Sequence, residues 1–289
     1  MVLRDYFDYW DEFFQIWISS QSQQEYESAF LQLDKGFNLS PFNYPLNIRN
    51  SDLNADPSFD YLPEPYWGWT PSSGKDLKYV VVNYNPASGG VNQYNQSENV
   101  RKIENYSDYV FKQISGYVNF KNGFTNLIPS QYGTTNWHFI HRSKKLAQSS
   151  ESVITQDFLS IGSYLGIDLV PWHTKNVSSL NGYLQANFDS IKKWSLNFAI
   201  ESAKHVTGHF KNVVIVRTNS STFSNIFSVE FENGFFEMSD QVVGDNVIGN
   251  DNFQKINIRG SDVSIYLLWG MRNSLPTTSF LKQIFGIVD

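Results

Sequence analysis

The residues best suited to chemistry gather in three short loops, each behind an apolar run. The first is Asn83-Tyr84-Asn85-Pro86-Ala87-Ser88-Gly89-Gly90. Asn83 and Asn85 offer carboxamides, which donate and accept hydrogen bonds but are not general bases. Pro86 fixes the chain direction, and Gly89-Gly90 permits close backbone approach or positive φ. The second loop is Pro171-Trp172-His173-Thr174-Lys175-Asn176. Trp172 offers a stacking surface beside His173, and Lys175 a cation for phosphate. The third is Arg272-Asn273-Ser274-Leu275-Pro276-Thr277-Thr278-Ser279. There Arg272 can grip a phosphate as a fork, with Asn273 or Ser274 on a base or sugar. Plainer roles suit the same residues. The first loop reads equally as an Asn-Pro turn, and the second as a Trp closing a sheet edge with His173 exposed. The third reads as a helix start, with Pro276 in the first turn and Ser274 or Thr277 as its cap.

The chain also lacks much. It has no cysteine, which excludes a disulfide framework, a thiol nucleophile, an iron–sulfur cluster and a cysteine-based zinc site. His138 and His141 stand three apart, and His205 and His209 four apart, either of which suits one helix face. Neither pair has a carboxylate at a metalloprotease spacing. Lys204 to His209 also reads as a helix end, where histidine complements the dipole. No metal site is expected. There is no Walker-type phosphate loop, strand-linked G-x-G-x-x-G, G-x-S-x-G or paired-carboxylate motif, and no cofactor is expected.

Four apolar runs must carry the loops. Lys78–Asn83, Ile167–Trp172, Asn212–Arg217 and Ser264–Trp269 read as strands, the first buried on both faces. Helical spacing occupies residues 1–35, 95–125, 152–165 and 181–207, with another helix at the C-terminus. Residues 36–70, rich in Asn and Pro, read as a long irregular loop. Apolar and polar residues alternate over 225–260, which suggests an antiparallel excursion. The pattern predicts an α/β fold: a doubly wound, mainly parallel four-stranded sheet flanked by helices, with an added N-terminal helical segment. Residues 1–60 form an N-terminal helix and irregular extension packed on the core. Residues 61–289 form the α/β domain, with an insertion near 225–260. Ligands of such sheets sit outside the carboxyl ends of the strands, which would make the three loops the walls of one pocket.

Composition agrees with a folded body. Hydrophobic residues make up 41% of 289 and aromatics 16%, enough for a sizeable core and against disorder as the main state. The net charge of −6 counts against tight, non-specific nucleic-acid binding, though a local basic groove can sit on an acidic body. No apolar run approaches the roughly 18 residues of a membrane span. The start, Met1 to Asp8, is acidic and lacks a small-residue cleavage site. A cytoplasmic protein without a membrane partner is expected.

Taken together, the loops resemble those of a known family. Tyr79-Val80-Val81-Val82-Asn83-Tyr84-Asn85-Pro86-Ala87 resembles the first motif of the uracil-DNA glycosylase superfamily. It is most similar to the strand-G-x-N-P-G of the mismatch-specific uracil/thymine and single-strand-selective branches. Asn136-Trp137-His138-Phe139 resembles the family's helix-opening N-x-F-W, and Leu169-Val170-Pro171-Trp172 sits where the family has its second strand. Ile265-Tyr266-Leu267-Leu268-Trp269 through Asn273-Ser274-Leu275 resembles the strand and second motif, N-P-S-G-L in the mismatch branch. Asn83 and Ala87 stand where the family keeps glycine, and the second motif lacks its Pro and Gly.

The resemblance implies hydrolysis of the N-glycosidic bond of uracil or a related base in DNA, single-stranded or mismatched, on a flipped-out nucleotide. Asn85 would orient the water toward C1′, and Asn273 or the N–H groups around Gly89 would stabilise charge on the departing base. Tyr84 or Trp172 would stack on that base, with Arg272 and Lys175 on phosphates. Asn83, Pro86, His173 and Ser274 would complete the substrate-binding wall. Two alternatives stay open. One is a nucleotide-, base- or small-ligand-binding protein on the same fold, and the other a protein–protein module using the aromatic N-terminal region.

Overall fold

The computed structural model describes residues 3–22, 24–25, 28–29, 32–33, 65–71, 74–84, 164–171, 189–243 and 252–268. Valine-rich segments form its central strands, because branched side chains fit a pleated surface and lose little there. These are β2 (Tyr79–Asn83) and β4 (Val213–Val216), in which Val80, Val81, Val82, Val214 and Ile215 are wholly buried. With β1 (Tyr66–Gly68), β3 (Tyr164–Asp168), β5 (Phe236–Val243), β6 (Asn252–Ile258) and β7 (Ser264–Leu268), they build one seven-stranded sheet. Its order is β1-β3-β2-β4-β7-β6-β5.

The architecture is α/β, but the sheet is mixed and larger than the expected four parallel strands. The four middle strands, β3-β2-β4-β7, are parallel. Strand β1 adds antiparallel to β3, and the hairpin β5–β6 adds antiparallel to β7. The expected loop over 36–70 thus ends in a strand. Tyr66 to Gly68 pair with Ile167 to Leu165, and Gly68 closes the strand at φ 88°. The expected antiparallel excursion exists, but its first part is helical. Helix α3 (Ser220–Ile226) and helix α4 (Ser228–Glu232) precede the hairpin, and Phe223, Phe227 and Phe231 recur every fourth residue to pack on Phe236.

Two further boundaries differ. Strand β3 starts three residues before the expected Ile167, within the span read as helix 152–165. Leu169 and Val170 continue beside β2 through amide bonds to the Asn83 and Tyr84 carbonyls, at 3.0 and 2.8 Å. Helix α2 (Asp189–Lys204) stops short of the expected residue 207, because the Thr207 amide turns to the Leu77 carbonyl at 2.8 Å. The helices expected over 95–125 and at the C-terminus, and the Asn136–Phe139 segment, lie outside the described residues.

Helix α1 (Leu3–Ser19) closes the core over α2. Tyr6, Phe7, Tyr9, Trp10, Phe13 and Phe14 are all buried, at the i, i+3, i+4 spacing of one helix face. The Tyr6 ring stacks on Phe198 at 3.8 Å and 8°, and Tyr9 meets Trp194 edge-on at 4.7 Å. Aromatic residues of this size each bury roughly 150–250 Å², so α1 is integral to the core. No helix among the described residues is long and apolar enough to cross a membrane.

Candidate functional site

The order of the parallel strands marks one place on the sheet. The chain starts at β2, moves to β3 on one side, and then returns past β2 to β4 on the other. In open parallel sheets ligands bind at such a reversal, which here lies outside the carboxyl ends of β2 and β4. Asn83 and Tyr84 leave β2 there, and Arg217 and Thr218 leave β4.

Parallel register aligns these residues in rows. Asn83 pairs with Asp168, and Val82 with Val216, which sets Arg217 beside Asn83. The Arg217 amide donates to the Val82 carbonyl at 3.0 Å, so the alignment runs past the end of β4. Residues in register on parallel strands point to the same face. Accordingly, Arg217 Nη1 donates to Asn83 Oδ1 at 3.1 Å. The row reads Asp168, Asn83, Arg217, with Asp168 wholly buried.

One residue further, the Tyr84 hydroxyl shares a hydrogen bond with the Thr218 hydroxyl. Burial pushes the Tyr84 phenol well above its ordinary range, and the bond to Thr218 opposes this only in part. The exits of β2 and β4 are therefore tied by two successive pairs of side chains. Asn219 follows in extended geometry and caps α3, its Oδ1 accepting from Thr222 N at 2.7 Å and Ser221 Oγ at 2.8 Å.

On the β3 side the site rests on the core of α1 and α2. Tyr6 lies within 3.4 Å of the Ser195 hydroxyl and of the Pro65 carbonyl, to which its own hydroxyl donates. Burial is the main reason its phenol stays protonated far into alkali. The bonds to Ser195 and Trp10 work against that, and the Asp168 carboxylate adds to it.

Of the residues expected in the pocket, Asn83 and Tyr84 are described and stand at the carboxyl end of a central parallel strand. Asn85, Pro86, Gly89, Trp172, His173, Lys175, Arg272, Asn273 and Ser274 lie outside the described residues. Sequence reasoning overlooked Asp168, Arg217, Thr218 and Asn219. The usable signal was the polar Arg217-Thr218-Asn219-Ser220 segment after the third apolar run, a strand exit like the other three. Asp168 offered a second signal, as a carboxylate inside an otherwise apolar strand.

The arrangement suits recognition by hydrogen bonding. Arg217 brings a permanent cation and only donors, Asn83 a carboxamide and Thr218 a hydroxyl. His205 and His209 are exposed beyond the end of α2, and no group of three or more metal-ligating side chains occurs among the described residues. No protein-family model matches the chain, and no match is found among curated proteins or solved structures.

Proposed function

We propose that the protein is a uracil-DNA glycosylase-like hydrolase, cleaving the N-glycosidic bond of uracil or a related base in DNA. One observation carries the reading: the exits of β2 and β4 are locked together by Arg217–Asn83 and Tyr84–Thr218 where the parallel strand order reverses. The resemblance of the Asn83–Ala87 segment to the family's first motif supports it independently. The reading includes a doubly wound layering and a cytoplasmic site of action.

In this reading the target nucleotide leaves the stack and enters the candidate site. Asn85 orients a water toward C1′, and the C1′–N bond breaks with its electron pair departing on the base. The water oxygen bonds to C1′ and its proton is released, giving free base and an abasic site. Positioning is the main contribution of an amide here, since it cannot take the proton in a stable form. Asn273 stabilises charge on the departing base.

The test is base release from single-stranded and mismatched oligonucleotides containing uracil, read as abasic sites. Release should occur with the full chain and fall by about 100-fold in Asn85→Ala. Absence of release at high protein concentration, or release indifferent to Asn85→Ala, would overturn the proposal. The net charge of −6 favours a second reading, a binding protein for a free base or nucleotide. Binding of such ligands without base release would select it.

A further inference from the structure

The row Asp168, Asn83, Arg217 has a chemical direction. A guanidinium has donors and no acceptor, so the Asn83 atom held 3.1 Å from Arg217 Nη1 must be the carboxamide oxygen. Arg217 thus sets the orientation of the amide, with its oxygen toward β4. An exposed asparagine flips between donating and accepting. Here that freedom is removed by a charge-assisted bond, about twice as strong as a neutral one. The nitrogen carries two N–H groups that can meet a ligand.

We infer that Arg217 is the residue that sets the polarity of the candidate site: it turns Asn83 into a donor, so the site takes a ligand edge of hydrogen-bond acceptors. The inference rests on the base-recognising reading above and deepens it. Within that reading the preferred ligand carries a carbonyl oxygen where Asn83 reaches it, and a ligand with an amino group at that position is rejected. Such an amino group would confront another donor, leaving both N–H groups without an acceptor. Arg217 acts through Asn83, as a positioning residue.

Calorimetric titration of the full chain with free uracil and free cytosine tests this, since the two differ at C4 by a carbonyl oxygen against an amino group. Uracil should bind about tenfold more tightly. Arg217→Lys, which keeps a donor, should retain the preference. Arg217→Gln offers the neighbour either a donor or an acceptor, frees Asn83 to flip and should reduce the preference to about twofold or less. Asn83→Leu removes the donor and should abolish the preference, so the test survives a misfolded Arg217→Gln. Equal binding of the two bases, tighter binding of cytosine, no binding of either, or a preference untouched in a folded Arg217→Gln would each overturn the inference. Base preference without hydrolysis would sink the glycosylase reading and leave this one standing. Hydrolysis with no effect of Arg217→Gln on base preference would do the reverse.

Discussion

The Tyr84 and Thr218 hydroxyls meet across the exits of β2 and β4, one residue beyond the bond between Arg217 and Asn83. Sequence positions 134 apart are joined by two successive side-chain bonds.

Removing one hydroxyl strands the other. Tyr84→Phe leaves the largely buried Thr218 hydroxyl with only its weaker 3.3 Å bond to the Asn219 carbonyl, and should destabilise the protein by about 1–2 kcal/mol. Thr218→Val should cost a similar amount, while the double variant should cost clearly less than the sum. Urea unfolding of the four proteins gives the coupling. Strict additivity would mean that the bond contributes nothing.

Alkali should destabilise the fold through its buried tyrosines. Tyr6 and Tyr84 are held protonated well above the ordinary value of 10.0, chiefly by burial. Their stabilising contribution is complete below pH 10. Above it the unfolded chain gives up these protons and the folded chain keeps them, so stability falls as pH rises. Each of the two should contribute a slope of about 1.4 kcal/mol per pH unit once the unfolded chain is ionised. Half-buried Tyr266 shifts in the same direction and contributes less. Denaturant midpoints measured between pH 8 and 11 should show the decline, and Tyr84→Phe should make it shallower.

The cap of α3 is a local stabiliser next to the candidate site. Asn219→Ala removes the acceptor for Thr222 N and should cost about 1 kcal/mol, whereas Asn219→Asp should be nearly neutral. Thermal unfolding should show a melting temperature lowered by about 2–4 °C for the alanine variant. No shift would mean that water replaces the cap without loss.

Helix α1 should prove indispensable to the folded chain. Tyr6→Ala removes a ring stacked on Phe198 and in contact with Tyr66 and Trp194, at a cost of about 3–5 kcal/mol. Deleting residues 1–20 should expose the aromatic face of α2 and abolish the cooperative unfolding transition. A truncated protein that still unfolds cooperatively would show that α1 is an accessory.

How legible the fold was depended on whether an element is specified locally. Strands β2, β4 and β7 could be read directly, because each is an apolar run bounded by polar residues. Strand β3 starts three residues before its apolar run. Gly166 weakens the pattern at its start, and Pro171 and Trp172 lengthen the apolar run beyond its end. Strand β1 exists only by pairing with β3, about a hundred residues away, so nothing local could announce it. Phe227, Val229 and Phe231 alternate like a strand, yet Phe223, Phe227 and Phe231 also keep a four-residue helical spacing, and packing on Phe236 decides for the helix. At the candidate site, Asn83 and Tyr84 stand out in the sequence because they open a strand exit rich in amides. Arg217 is inconspicuous in the sequence because its partner, Asn83, is distant from it there.

The strand order has a mechanical consequence. With the hairpin β5–β6 added to one flank and β1 to the other, β4 has three strands on either side. A central strand opens only when much of the sheet opens, so the amides of Val214 to Val216 should be among the slowest in the chain to exchange with solvent. Arg217 and Thr218 follow that strand directly, so the part of the candidate site that they form should yield least.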